Sequence, residues 1–98
     1  MTREISLMVN DQPIELDYFV QGFIDHTVGG ILAGLKGTKA IKTVSISIEG
    51  DNVAININDA LLPTNPFVSK IVRNTIVGMV SSLKGVTGTN TIKLTIIR

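Results

Sequence analysis

The sequence contains the same segment twice. When residues 5–49 are laid over residues 53–97 without a gap, eleven positions are identical. They fall at predicted turns, helix ends and apolar positions, as expected for repeated structural units. The identical residues of the first copy are Asn10, Asp11, Phe19, Val20, Thr27, Gly30, Leu35, Lys36, Gly37, Thr43 and Ile48. Any fold proposed for the chain must therefore be built from two similar halves.

Within each half, the apolar pattern predicts a strand, a helix and a second strand. Ile5, Leu7 and Val9 alternate with less apolar residues, which is the period of a strand buried on one face. The pattern then changes to that of an amphipathic helix, with Thr27 and its equivalent Thr75 at the centre of the apolar side. A second alternating run follows. The whole chain, residues 1–98, is expected to be a single domain.

The ends of the predicted helices carry capping residues. Asp17 and Asn65, at equivalent positions, belong to the residue types that accept hydrogen bonds from the first free backbone amides of a helix. Each helix then ends in Leu-Lys-Gly. Gly37 and Gly85 are therefore predicted to take the left-handed conformation that follows a helix C-terminus.

The two halves are joined by a predicted two-residue hairpin turn at Gly50 and Asp51. This turn places Ile46 opposite Ile55 and puts the apolar residues of both strands on one face. The element order βαββαβ resembles the ferredoxin-like fold. Over the whole chain, the resemblance implies an α+β sandwich with a four-stranded antiparallel sheet in the order 4-1-3-2 and two helices on one face. Because that fold carries many unrelated activities, it implies no function.

An alternative adds a further strand to the first half. Residues 13–16 would turn back after Asn10 and Asp11 and pair with the first strand as a hairpin. The equivalent segment, residues 61–64, contains Pro63, which makes it a poor strand. The four-stranded arrangement is therefore preferred.

Small residues lie four apart on one flank of each predicted helix: Gly30 and Gly34 in the first, Gly78 and Ser82 in the second. We interpret them as the contact at which the two helices approach closely. The alternative is tolerated glycine, which costs up to about 1 kcal/mol relative to alanine at each position.

The first helix has a second stripe of small residues that the repeat does not explain. It consists of Gly22, Gly29 and Ala33, with His26 nearby. Such a stripe either receives the backbone of a second subunit or ligand, or merely weakens the helix.

The face of the sheet away from the helices is predicted to be polar, with a single lysine, Lys93. It has no aromatic residue on which bases could stack, which argues against nucleic-acid binding, as does the net charge of +1. This face is either solvated or a contact between subunits. In the 4-1-3-2 order, the strands TVSISI and TIKLTII lie at unprotected edges. Together with a charged fraction of only 17%, these features predict a homodimer.

Motifs for catalysis and metal binding are almost entirely lacking. The sequence has no phosphate-binding glycine loop, nucleophile elbow or HExxH motif, and one histidine cannot form a multi-histidine metal site. The weak candidates are the carboxylates expected near one end of the sheet: Asp11, Glu15, Asp17, Glu49 and Asp51. Turn formation and helix capping explain the same residues, so no cofactor is predicted.

Three classes of function remain open. The first is a small non-catalytic binding or interaction module, homodimeric, that uses the polar sheet face or the subunit junction. The second is a small enzyme or metal-dependent site that uses Asp11, Glu15 and Asp17, and the third is a structural subunit of a larger complex. The chain has no cysteine, and we recognise neither a signal peptide nor a membrane-spanning stretch. A soluble cytoplasmic protein without a membrane or nucleic-acid partner is therefore expected.

Overall fold

A computed structural model describes residues 4–36 and 41–98 and has the α+β class expected from the sequence. The helices are Tyr18–Lys36 (α1) and Pro66–Ser81 (α2). The strands are Glu4–Val9 (β1), Gln12–Pro13 (β2), Thr43–Glu49 (β3), Asn52–Ile57 (β4), Ala60–Leu61 (β5) and Thr91–Ile97 (β6). Each element of the second half begins at the position equivalent to the start of its counterpart in the first half.

The six strands form one antiparallel sheet in the order β2-β1-β6-β3-β4-β5, and the expected ferredoxin-like sheet is wrong. Without the two short strands, the order of the long strands is 1-4-2-3 instead of 4-1-3-2. β3 and β6, which the ferredoxin-like order places at the edges, are neighbours at the centre of the sheet. Their apolar alternation therefore belongs to strands paired on both sides, and the argument for a homodimer from open edges is lost.

Two hairpin turns explain the observed order. Asn10 and Asp11 have φ angles of 50° and 64°, and the equivalent pair, Asn58 and Asp59, has 50° and 66°. Two successive left-handed residues are typical of the turns that join adjacent antiparallel strands. Each turn sends the chain back along the outer side of β1 or β4, where β2 or β5 pairs with it. β1 and β4 then have one side left for a long strand, which excludes the central positions that the ferredoxin-like order requires.

The outermost strands, β2 and β5, are short, and a proline lies within the first and shortly after the second. The alternative of a returning strand after β1 is realised over Gln12–Pro13, and the equivalent segment pairs in the same way over Ala60–Leu61. Pro63 lies beyond β5 and does not disturb it. Pro13 is tolerated because it belongs to the outermost strand, where no further strand needs its missing N–H.

An aliphatic core lies between the helices and one face of the sheet. The helices contribute Ile24, Val28 and Leu32 from α1, and Val72, Ile76 and Val80 from α2. The sheet contributes Leu7, Val9, Val44, Ile46, Ile48, Ile55, Ile57, Ile92, Leu94 and Ile96. The buried stripes are centred on Val28 and Ile76 rather than on Thr27 and Thr75, because burying a larger aliphatic side chain stabilises the fold more.

Asn10 and Asn58 connect each hairpin turn to the other half of the chain. The Asn10 Oδ1 atom accepts a hydrogen bond from Thr91 N at 3.0 Å. The Asn58 Oδ1 atom accepts from Lys42 N at 2.8 Å and from Thr43 N at 3.1 Å. The backbone N–H groups of the two asparagines donate to Thr91 O and Thr43 O. The turns are therefore held by contacts distant in sequence as well as by their local geometry.

Side-chain caps are present at both helix starts. Oδ1 of Asp17 accepts from Val20 N, and Oδ1 of Asn65 accepts from Val68 N, each at 2.8 Å. These bonds satisfy backbone amides that have no partner within the helix.

The C-terminal end of α2 differs from the expectation. The helix was expected to end just before Gly85, but its C-cap is Ser82. Gly85 has a φ of 88° and belongs to the turn that follows the helix. The α-helix stops earlier because the hydrogen bonds after it change from the i to i−4 to the i to i−3 pattern, as in the bond that Leu83 N donates to Val80 O. Gly37, the predicted C-cap of α1, lies outside the described residues.

The β3–β4 hairpin has the register that the sequence predicts. Ile46 pairs with Ile55, and Gly50 and Asp51 form the two-residue turn. Gly50 has a φ of 58°, which suits the first position of a type II′ turn. Residues with a Cβ atom rarely adopt this backbone conformation, which explains the glycine.

The helix glycines do not mediate a helix–helix contact, so that interpretation is corrected. A Cβ atom built at Gly30, Gly34 or Gly78 would meet no heavy atom within 4 Å in the part of the chain that the structure describes. These glycines and Ser82 lie outside the core, on the solvent side of the helices. The helices face the core with their aliphatic stripes instead, and among the described residues Gly30, Gly34 and Gly78 mediate no close approach of one helix to the other.

We expect Gly78→Ala to stabilise the protein by up to about 1 kcal/mol, because alanine has the higher helix propensity and its methyl group has open space. Gly85→Ala is the control, and we expect it to destabilise, because its φ of 88° disfavours every residue with a Cβ atom. Urea unfolding measures both effects. A loss of stability in Gly78→Ala would restore the helix-contact interpretation.

Candidate interaction surface

All four aromatic residues of the chain lie on its surface. Tyr18 has 84% of its surface exposed, Phe19 74%, Phe23 54% and Phe67 69%. The sequence has one tyrosine, three phenylalanines and no tryptophan, so its entire aromatic content lies outside the core. Burial of a large apolar side chain stabilises a protein by roughly 1.5–3 kcal/mol. Leaving all of them in water therefore indicates a surface with a purpose other than folding.

Three of these residues form one patch at the start of α1. The rings of Phe19 and Phe23, one helical turn apart, have centroids 6.2 Å apart and are inclined at 42°. With Tyr18, they line a shallow depression that also includes Gly22, His26 and Thr27. We call Tyr18, Phe19 and Phe23 the aromatic patch. The side-chain cap of Asp17 determines where α1 begins and thereby places these residues in its first two turns.

The equivalent positions of α2 repeat this pattern in a more polar form. Phe67 and Ile71, the equivalents of the two phenylalanines of the patch, are both exposed. A depression beside them is also lined by Lys70, Asn74 and Thr75. Within α2 the charged residues are Lys70 and Arg73, and no carboxylate is present. The helix layer therefore has two related apolar regions, of which the one on α1 is the more hydrophobic.

The outer side of α1 has almost no charge. From Tyr18 to Leu35, the only residue of the Asp, Glu, Lys and Arg types is Asp25. Asp25 is buried, and its Oδ1 atom accepts hydrogen bonds from Arg98 Nε at 3.1 Å and Nη2 at 2.9 Å. The carboxylate is thus used within the fold, so no exposed Asp, Glu, Lys or Arg side chain remains between Tyr18 and Leu35.

The second half has a related contact with the charges reversed. Arg73 is the equivalent of Asp25, and its Nε atom donates to Gly50 O at 2.6 Å. The same atom lies 3.7 Å from the carboxylate of Asp51, which is fully exposed. Each helix is thereby tied at the same relative position to a segment next to a central strand. Solvent screens the second ion pair far more than the first.

One residue of the second stripe of small residues on α1, Gly29, has a structural role. A Cβ atom at Gly29 would lie 3.1 Å from Arg98 Nη2, so glycine leaves room for the guanidinium beside Asp25. Gly22 lines the depression of the aromatic patch, and Ala33 is exposed. The stripe is therefore divided between an internal contact and the outer surface.

The acidic residues considered for a metal or acid–base site fall into three places. Asp17 caps α1 and, together with Glu15, lines a cavity between the loop before α1 and the segment after α2. Asp11 is exposed in the β1–β2 turn, and Glu49 and Asp51 are exposed at the β3–β4 hairpin. Within the described ranges 4–36 and 41–98, no three His, Asp or Glu side chains are close enough to share a metal ion.

The face of the sheet away from the helices consists mainly of short side chains. Strand pairing places Ser6, Thr95, Ser45 and Asn56 in one row. The adjacent row contains Met8, Lys93, Ser47 and Ala54. Water satisfies such polar groups, and they offer a partner little apolar surface to bury. This face is therefore a weaker candidate for an interaction surface than the helix layer.

Sequence reasoning missed the aromatic patch, although one signal in the sequence indicates it. At about 100° per residue, Phe19 lies opposite Val28 on the helical wheel, and Phe23 lies about 140° from it. An aromatic pair spaced by four residues on the side opposite a buried stripe cannot reach the core. An apolar arc centred on Thr27 hides this, because it places Phe23 only about 40° from the centre of the buried side and Phe19 about 80° from it.

Among the described residues, neither helix combines the length and the apolar character needed to cross a bilayer.

No protein-family model matches the chain, and no curated protein or solved structure is significantly similar to it.

Proposed function

We propose that this protein is a non-catalytic interaction module that binds a protein partner through the aromatic residues of its helix layer. The observation that carries the proposal is the exposure of every aromatic side chain of the chain above an entirely aliphatic core. The aromatic patch alone leaves roughly 400 Å² of side-chain surface in water. That area is comparable with the largest apolar patch of a typical monomer, which is often functional.

The chemistry of the patch favours a protein over other partners. Aromatic side chains are enriched at protein interfaces and dominate their energetics, since they bury a large area while losing few rotamers. Nucleic-acid sites instead surround exposed rings with Lys and Arg, and the stretch from Tyr18 to Leu35 contains neither. Of the carboxylates that an enzyme would use, Glu15 and Asp17 line one cavity. Because Asp17 caps α1 and Asp11 lies in the β1–β2 turn, an acid–base site has less support.

The proposal moves the contact surface from the sheet to the helices. The sheet face is polar, whereas the helix layer has exposed rings at positions equivalent in the two halves. Desolvating rings contributes about 25 cal/mol for each Å² buried, and burying hydroxyl and amide groups contributes little or opposes binding. The helix layer is therefore the side on which association is most favourable.

Site-specific photo-crosslinking in the cells that produce the protein tests this function. p-Benzoylphenylalanine is placed at Phe19 or at Phe67, where an exposed ring is already present. The matched control places it at Thr95, on the opposite face of the same sheet. We expect discrete covalent protein adducts from the helix positions and none from Thr95.

The mass of each adduct identifies what was bound, including a second copy of this chain. Adducts from Thr95 alone would transfer the contact to the sheet face. Absence of adducts from both helix positions would contradict the proposed function.

A further inference from the structure

We propose that α1 is the contact between two copies of this chain, packed antiparallel on α1 of the second copy across a twofold axis between His26 and Thr27. The inference rests on the proposed function and names its partner. It uses the outer side of α1, including the aromatic patch, and not the polar sheet face.

Large and small residues follow a defined order along one side of α1. Phe19 and Phe23 occupy its N-terminal half, and Gly30 and Gly34 occupy its C-terminal half. All four lie on the side away from the buried stripe, and all are exposed. When two such helices pack antiparallel with the axis between residues 26 and 27, Phe19 faces Gly34 of the second copy. Phe23 faces Gly30 of the second copy in the same way.

The two glycines leave open space on the surface of α1. Gly30 and Gly34 have no heavy atom of the described chain within 4 Å of a built Cβ position, so a ring from another molecule has room there. A helix surface without side chains allows the closest approach of a second helix. Large residues above small ones form a contact that interdigitates without voids, which is the condition for favourable dispersion energy.

The outer side of α1 also lacks the charges that would oppose a twofold contact. In a twofold interface each residue close to the axis lies near its own equivalent, so any charge there meets the same charge. The 19 residues of α1 extend about 28 Å, and their outer side has no Asp, Glu, Lys or Arg from Tyr18 to Leu35 except the buried Asp25. α2 has the same order of large and small residues, but it carries Lys70 and Arg73 with no carboxylate. α1 is therefore the helix suited to self-association.

The face that carries the helices is large enough for the contact of a stable dimer. A stable dimer buries about 800 Å² on each partner. The molecule measures 34 × 34 × 19 Å, so the face that carries the helices has a projected area of roughly 1,100 Å². α1 supplies the centre of such a contact, and the exposed Phe67 and Ile71 on the same layer are available at its margin.

Sedimentation equilibrium on the full chain, from micromolar to millimolar concentration, tests the dimer with two matched substitutions. Gly30→Glu puts a charge beside the axis, and Gly78→Glu puts the same charge at the equivalent site of α2. Both positions have open space around a built Cβ atom, so we expect both variants to fold. We expect Gly30→Glu to raise the dissociation constant roughly a hundredfold. We expect Gly78→Glu, and Thr95→Glu on the sheet face, to leave it within about threefold of the unaltered chain.

A second measurement locates the axis. The chain contains no cysteine, so His26→Cys and its equivalent Asn74→Cys each introduce a single thiol. A short bismaleimide should join two copies through position 26, which lies beside its own equivalent across the axis, and not through position 74. Efficient coupling at position 74 alone, or equal weakening by Gly30→Glu and Gly78→Glu, would overturn the proposed axis.

The two proposals fail separately. A chain that remains monomeric at millimolar concentration overturns self-association through α1. If photo-crosslinking from Phe19 nevertheless captures a different protein, the interaction module stands with another partner. If Phe19 and Phe67 give no adduct while the chain dimerises through Thr95, both proposals are wrong.

Discussion

The backbone amides of Ile46 and Leu94 should exchange with solvent deuterium only through global unfolding, at least about a thousandfold more slowly than those of Ile5 and Val53. Ile46 and Leu94 are paired on β3 and β6 at the centre of the sheet. In this pair of strands the even-numbered residues exchange the hydrogen bonds. The bonds from Arg98 N to Lys42 O and from Gly50 N to Asn90 O define this alternation at its two ends.

Ile5 and Val53 provide the matched comparison. They occupy equivalent positions on β1 and β4, and their N–H groups point to the outer edges, beyond the residues that β2 and β5 pair with. These amides are open to water, so local fluctuations are sufficient for exchange.

Exchange followed by two-dimensional NMR distinguishes the two strand orders. The ferredoxin-like order leaves the amides of Ile46 and Leu94 facing solvent and places β1 and β4 at the centre. Fast exchange at Ile46 and Leu94 with protection at Ile5 and Val53 would therefore contradict the six-stranded sheet.

Replacing Asn58 with alanine should lower the free energy of unfolding by about 2–3 kcal/mol. Two costs combine in this estimate. Alanine is strained at a φ of 50°, which asparagine tolerates, and the hydrogen bonds from Lys42 N and Thr43 N to the side chain are lost. Asn10→Ala should have a similar effect, since Asn10 has the same φ and accepts from Thr91 N.

Two further variants separate the backbone term from the hydrogen-bond term. Asn58→Gly keeps the left-handed backbone and loses only the side chain, so we expect about half of the loss seen with alanine. Asp59→Ala changes the next residue, whose φ is 66°, and should cost about 1 kcal/mol through backbone strain. Urea unfolding measures all four variants. Equal stability of Asn58→Ala and Asp59→Ala would show that the asparagine side chain does not link the two halves.

The starts of both helices and the register of the β3–β4 hairpin were predictable because each depends on nearby residues. A helix start needs an acceptor such as Asp17 or Asn65 three residues before an amide, and a two-residue turn needs Gly50 between two alternating runs. Once the turn is in place, the two strands have one register that buries both apolar sets. The repetition of the elements in the second half follows from the same local chemistry.

The strand order was not predictable in the same way, because several orders bury the same side of every strand. Ile46 and Leu94 face the core whether β3 and β6 lie at the edges or at the centre, so the apolar alternation does not distinguish these arrangements. The returning segments after Asn10 and Asn58 decide the matter. They pair with the outer sides of β1 and β4. In the sequence, Pro63 argued against the strand β5, but it lies beyond the two residues that pair.

The candidate site, too, depends partly on features that the sequence shows and partly on features that only the folded structure shows. Composition establishes that the chain has four aromatic residues and few charges, and the repeat places Phe19 and Phe67 at equivalent positions. Only the packed structure determines that the helices turn Val28 and Ile76 toward the sheet and leave the rings in water. By itself the sequence determines local geometry, since capping and turn formation involve neighbouring residues. Tertiary structure decides which strands meet and which helix side is covered, because these depend on contacts between residues far apart in the chain.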